Sequence, residues 1–298
     1  MNKIKFSLEQ VITKDKIVLD GLIAEPARKS RQALIWIHGH TSKFYSGQQR
    51  IHELAQFCRK ANIALVIFNN RGHDVITHLL KKNSKRARGF STILSGGNVE
   101  KFTDCLFDIQ AVIQLVSKLG YKQIYLAGHS TGANKILYYM YKIRDKRIKG
   151  LGLIAPVSDV AARKKQLGKQ FDRELKEVKT LWRKNKNNFL SSRLSDQPMT
   201  AARYISLYNP GSAEDVFPYY NPQSKAWELA SIRIPLLVML GERDEYLDQS
   251  AYKTMHWFKI KSVKTRKFTG IVLPKAWHSF VKQEALLARS IISWIKKI

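Results

Sequence analysis

From Ala33 onward one pattern repeats: a short apolar run, then a longer stretch that is apolar along one side only. ALIWIHG (33–39), ALVIFNNRGHD (64–74), KQIYLA (122–127), IKGLGLIAP (148–156) and IPLLVMLG (234–241) are almost continuously apolar at their cores, which predicts strands buried on both faces. QQRIHELAQFCRKAN (48–62) and EKFTDCLFDIQAVIQLVSK (100–118) are amphipathic, and in the second Phe102, Leu106, Ile109, Ile113 and Val116 fall along one side of a helix. Buried strands that alternate with helices require crossover connections. The expected fold is therefore α/β, a mostly parallel central sheet with helices on both faces.

The pattern is interrupted once and flanked at both ends. QVITKDKIVLDGLIAEP (10–26) alternates apolar with polar residues and turns at Lys14-Asp15, the mark of an antiparallel hairpin. A weaker last strand is expected near TRKFTG (265–270), and a closing helix from about Gln283 to Lys297. Between Val157 and about Ser231 the alternation stops and two helical stretches appear, DVAARKKQLGKQFDRELKEVKTLWRKNK and MTAARYISLYNP. The expected organisation is a core of residues 1–156 and 232–298 carrying a helical cap, or lid, of residues 157–231. No internal repeat or low-complexity tract occurs.

Charge is the unusual element of composition: 52 Lys and Arg against 23 Asp and Glu, a net +29 over 298 residues. Such a field attracts anionic polymers, membranes and acidic substrates without specifying any of them. The basic residues are spread along the chain, with KKNSKRAR (81–88) the one dense cluster, and no zinc-finger, RNP-like or leucine-zipper pattern is present. No dedicated nucleic-acid site is expected; non-specific binding to anionic polymers or membrane is. Cys58 and Cys105 lie in helical segments without metal-ligand spacing and are expected to be reduced packing residues. The first 21 residues lack the apolar core of a signal peptide, and a cytoplasmic location is expected.

GHSTG (Gly128–Gly132) joins the run KQIYLA to the helical ILYYMYKI. Glycine two residues before and two after a serine permits a sharp strand-to-helix turn, which lifts the hydroxyl above the sheet and sets it at a helix N-terminus where free N–H groups meet developing negative charge. G-x-S-x-G alone is a weak signal. A strand before it and a helix after it make Ser130 a candidate nucleophile rather than a residue of a structural glycine turn.

Serine attacks only when a base takes its proton and a carboxylate orients that base. Downstream of Ser130 the histidines are His256, inside a helical stretch, and His278, in KAWHSF before the final helix. The acidic loop GERDEYLD, after a buried run, offers Glu242, Asp244, Glu245 and Asp248. With GHSTG, HGH (38–40), RGHD (71–74), GERDEY (241–246) and WHSF (277–280), the chain from about Val18 resembles the α/β-hydrolase superfamily. That resemblance implies a serine hydrolase working through an acyl-enzyme on a small-molecule ester or thioester, with no cofactor and no metal. It implies Ser130 as nucleophile, His278 as base and Asp244 as acid, with Asp248 as runner-up. It implies an oxyanion hole from the backbone N–H groups of Thr131 and His40, with Thr41 as second choice for the latter. Arg71 and His73 fall on a neighbouring loop, either holding that loop or meeting substrate. Trp182, Phe189, Tyr204, Tyr208, Phe217, Tyr219 and Tyr220 in the insertion are consistent with an apolar pocket or with a packed cap. TGIVLPKAWHSF places an unusually apolar approach before His278.

Overall fold

The computed structural model describes residues 4–298. In chain order the elements are β1 (Phe6–Ile12), β2 (Val18–Ala24), β3 (Gln32–Ile37), α1 (Gln48–Lys60), β4 (Ala64–Phe68), β5 (Thr77–Lys82), β6 (Phe90–Ser95), α2 (Cys105–Lys118), β7 (Gln123–His129), α3 (Thr131–Ile143), β8 (Ile148–Ile154), α4 (Asp159–Leu167), α5 (Phe171–Lys184), α6 (Ala201–Tyr208), the one-turn α7 (Trp227–Ala230), β9 (Leu236–Gly241), α8 (Ala251–Lys261), β10 (Phe268–Leu273) and α9 (Glu284–Ile295). Eight strands form one sheet in the order β1-β2-β4-β3-β7-β8-β9-β10. β1 pairs antiparallel with β2, and β2 with β4; from β4 to β10 every pairing is parallel.

The apolar runs make central strands because both of their faces are covered. Along β3, Ala33, Ile35 and Ile37 join one core with residues of α2, α3 and α8, while Leu34 and Trp36 join a second core with residues of α1 and α9. β4 alternates in the same way, with Val66 and Phe68 on one side and Leu65 and Ile67 on the other. Each large apolar side chain so enclosed stabilises the fold by about 1.5–3 kcal/mol relative to leaving it in water.

Two features depart from the sequence expectation, and a third bears on alternatives it left open. β10 runs on to Leu273, so the apolar approach to His278 is the last strand itself. The basic cluster 81–88 forms the end of β5 and the turn of a separate two-stranded β5–β6 hairpin. The aromatic residues between β8 and β9 are largely packed: Tyr204, against Tyr208, belongs to a third core with Val160, Phe171, Leu175, Val178 and Leu207 from α4, α5 and α6, while Phe217 and Tyr219 pack on Phe258 and Trp257 of α8. Trp182 and Phe189 remain exposed. Cys58 and Cys105 are free and buried, as expected.

β3 leads left in the sheet to β4, whereas β7, the next strand of the sheet, lies to the right of β3. The sheet order thus reverses between β3 and β7, and the carboxyl ends of those two strands border the crevice in which open α/β sheets hold ligands. His38–His40 follow β3, and Ser130 follows β7.

Candidate active site

Ser130 has φ 56° and ψ −130°, a conformation that side-chain-bearing residues rarely adopt and that costs about 1–3 kcal/mol. The flanking glycines are needed for contact. A Cβ on Gly128 would lie 2.3 Å from the Gly132 carbonyl oxygen, and one on Gly132 would lie 2.3 Å from the Ile37 carbonyl oxygen. The turn therefore closes only with hydrogen at both positions, against β3 and the first turn of α3. Ser130 is itself held by its N–H, which donates to the Ile154 carbonyl at 2.9 Å, and by its carbonyl, which accepts from Ala133 N–H at 2.8 Å. The N–H groups of Thr131 and His40 donate to no protein atom among the described residues.

The loop after β9 carries Asp244, and the loop after β10 carries His278, both buried. His278 Nδ1 lies 2.9 Å from Asp244 Oδ2. Asp244 Oδ1 accepts the Tyr246 backbone N–H at 3.1 Å, so both carboxylate oxygens are engaged. The His278 backbone N–H donates to Glu245 Oε2 at 3.0 Å. Tyr246 packs edge-on to the imidazole with ring centroids 4.6 Å apart, and His129, the neighbour of Ser130, packs against its other side at 5.1 Å. His129 Nε2–H donates to the His278 carbonyl at 3.0 Å, tying the serine turn to the histidine loop. Asp244 acting through Nδ1 leaves Nε2 of His278 as the nitrogen available to take a proton. Asp248 and His256 are exposed and lie outside the Asp244–His278 contact. Arg71 is buried and paired with Asp15, Asp104 and Asp108, so it holds its loop, and His73 bonds Asp74 at 2.8 Å.

Beneath the His38–His40 loop lies a set of buried charges that sequence reading did not identify. Lys135, one turn beyond Ser130 on α3, donates at 2.8 Å to each carboxylate oxygen of Glu100 and to Asn70 Oδ1. Arg203, from α6, donates through Nε to the Gly97 carbonyl at 2.6 Å, reaches Glu100 at 3.4 Å and pairs with Glu214. Arg203, Lys135 and Glu100 have no exposed side-chain surface. Burial pushes the Glu100 carboxyl up, but Lys135 and Arg203 pull it further down, below the usual carboxylate range.

Arg203 also approaches His40 Nδ1 at 3.4 Å. A guanidinium has no acceptor, so Nδ1 carries the lone pair and the ring proton sits on Nε2, which donates to Asn98 Oδ1 at 2.9 Å. Burial and the positive Arg203 push the His40 imidazole down to about 3, keeping the ring neutral. Removing one partner of a buried pair strands the other. Lys135→Met is therefore expected to cost about 3–5 kcal/mol in thermal or urea unfolding, with part of the loss recovered in the double variant carrying Glu100→Gln.

Asp159, at the start of α4, completes this cluster. Its Oδ2 is buried without a hydrogen-bond partner. Burial, then the charge of Glu214, push its carboxyl up to about 8 against the opposing pull of Arg203. Unfolded, the group would ionise near 3.8, so between those values the folded state holds a proton that the unfolded state has lost, and stability falls as pH rises. Asp159→Asn removes this dependence. Its stability advantage over the parent is expected to grow between pH 5 and pH 8 by an amount on the order of 3 kcal/mol; a constant difference in urea unfolding at the two pH values would refute the assignment.

Among the described residues no group of three His, Cys, Asp or Glu side chains is arranged to hold a metal ion. No helix among them is long and apolar enough to cross a membrane.

A family model described as a protein of unknown function, DUF1749, matches residues 101–296. The chain belongs to this family. The matched segment runs from the start of α2 to the end of α9 and so includes Ser130, Asp244 and His278. No curated protein matches by sequence. Among solved structures, the chain is similar to Est1E from Butyrivibrio proteoclasticus with ferulic acid bound, at 18% identity and a TM-score of 0.67 over 97% of this chain and 98% of that one. It is similar to the siderophore hydrolase EstB from Aspergillus fumigatus at 14% identity and a TM-score of 0.69, over 98% of both chains. It is also similar to the esterase Pf2001 from Pyrococcus furiosus at 15% identity and a TM-score of 0.61, over 99% of this chain and 91% of that one. DUF1749 proteins, this one included, have the α/β-hydrolase fold.

Proposed function

We propose that this protein is a serine hydrolase that cleaves a carboxylic ester or thioester of a small molecule. The observation that carries the reading is the 2.9 Å contact between His278 Nδ1 and the buried Asp244, on a loop that the His129 bond to the His278 carbonyl ties to the Ser130 turn. In this reading His278 Nε2 removes the Ser130 proton as Oγ attacks the acyl carbonyl. Asp244 holds the imidazole with its proton on Nδ1 and stabilises the imidazolium that forms. The N–H groups of Thr131 and His40 receive the oxyanion. His278 then returns the proton to the leaving alcohol or thiol, and water releases the acyl group by the same steps in reverse order. Residues 157–231 act as a helical cap over the core of residues 1–156 and 232–298. The esterase and hydrolase names of the similar structures support the same reaction class. Free, buried cysteines fit a reducing cytoplasm.

Labelling with a fluorophosphonate probe tests this directly, followed by assay on p-nitrophenyl esters of increasing chain length. The parent should be labelled and turn over, and Ser130→Ala should do neither. A folded parent that resists labelling would refute the proposal.

A further inference from the structure

Two adjoining basic concavities lie at the end of the sheet opposite Ser130. One hollow of about 530 Å³ is rimmed by Arg144, Lys146, Lys149, Arg233, Lys264 and Arg266 and floored by apolar residues including Ile148, Ile232 and Pro235. A second, of about 600 Å³, shares Lys149, Pro235 and Arg266 with it and adds Lys267, Gln32 and Gln123. The two form one groove across the amino ends of β3, β7, β8, β9 and β10, which are neighbours in that order. Five strands span about 19 Å.

All six rim cations of the first hollow are exposed, and among the described residues none of them pairs with a carboxylate. Asp145, the one acid in the lining, is spoken for: it accepts from Arg147 Nε at 2.9 Å and from the Tyr139 hydroxyl at 2.7 Å. The groove thus concentrates six exposed cations that form no ion pair among the described residues.

We propose that this groove binds a short segment of single-stranded nucleic acid, its phosphates along the cationic rim and a base in the apolar hollow. Concavity favours this occupant. A bilayer presents a broad surface that does not fill a hollow, and a duplex keeps its bases paired inward, whereas an extended single strand can lay its phosphates on the rim and turn an unpaired base into the apolar hollow. The contributing residues come from four separate places in the chain, 32, 123, 144–149 and 233–267, so no basic motif announces the site in the sequence. The groove is about 20 Å from Ser130 along β7, so binding there leaves the serine site open.

The test is fluorescence anisotropy with a fluorescein-labelled ten-residue oligouridylate as a function of salt. About four phosphate contacts predict a log–log salt slope near −3. Lys264→Glu with Arg266→Glu should weaken binding by about tenfold or more and flatten the slope by about 1.4. Lys82→Glu with Lys85→Glu, the same change of net charge at the β5–β6 hairpin, should leave affinity within about threefold. Both double variants should melt like the parent and keep its fluorophosphonate labelling. Equal losses in the two variants would overturn the proposal in favour of diffuse charge. So would no binding at low salt, or binding to phosphatidylserine vesicles, but not to the oligonucleotide, that the groove variant abolishes.

Discussion

Ser130→Ala is expected to lower kcat/KM on a p-nitrophenyl ester by about a hundred thousandfold or more, with melting behaviour close to that of the parent. Removing the hydroxyl eliminates the covalent route and leaves only what the oxyanion donors and substrate binding provide. A third variant separates chemistry from geometry. Ser130 sits at φ 56°, where alanine is as strained as serine and glycine is not. Ser130→Gly should therefore be as inactive as Ser130→Ala but more stable than it, by about 1 kcal/mol in urea unfolding. Equal stability of the two would show that the turn stores no strain, and residual activity within about tenfold of the parent would remove Ser130 from the mechanism.

Asp244→Asn should reduce kcat by about ten thousandfold while substrate affinity and stability change little. Both Asp244 oxygens accept an N–H, one from the Tyr246 backbone and one from His278 Nδ1. An asparagine has one oxygen and one NH₂ group to offer. The backbone N–H of Tyr246 cannot reverse its role, so the amide oxygen must face it and the NH₂ must face His278. The imidazole answers by moving its proton to Nε2, the nitrogen that has to be free to deprotonate serine. An Asp244→Asn enzyme with near-parental turnover, against an inactive Asp248→Asn, would move the acid to Asp248.

Much of this was legible in the sequence because it rests on local rules. Buried parallel strands must be continuously apolar, and β3, β4, β7, β8 and β9 are. The serine turn demands glycine where a Cβ would strike Ile37 and Gly132, so Gly128 and Gly132 were visible. His278 and Asp244 were singled out through the family resemblance, since the loop after the late apolar run offers four acids and spacing alone does not choose among them. The β5–β6 hairpin was hidden because only Leu79 and Ser95 are buried in it and its ends are basic. Lys135, Glu100 and Arg203 were hidden for the opposite reason: such side chains are almost never enclosed unless paired, and the partners lie 35 to 103 residues apart. The basic groove was invisible for the same reason of distance, since the sheet assembles it from strand ends.

The Arg203 cluster bears on how a substrate reaches Ser130. α6 is fastened to the loop that precedes α2 by the Arg203 bond to the Gly97 carbonyl, by the Thr200 N–H bond to the Asn98 carbonyl, and by ion pairs wholly shielded from water. Swinging α6 outward would expose two cations and two carboxylates at once, and nothing outside the cluster is placed to receive them. α6 is thus held as a fixed wall rather than a shutter. If the proposed hydrolase reaction takes place here, discrimination among acyl groups falls to the shape that a substrate meets on arrival, and turnover does not wait on movement of that helix.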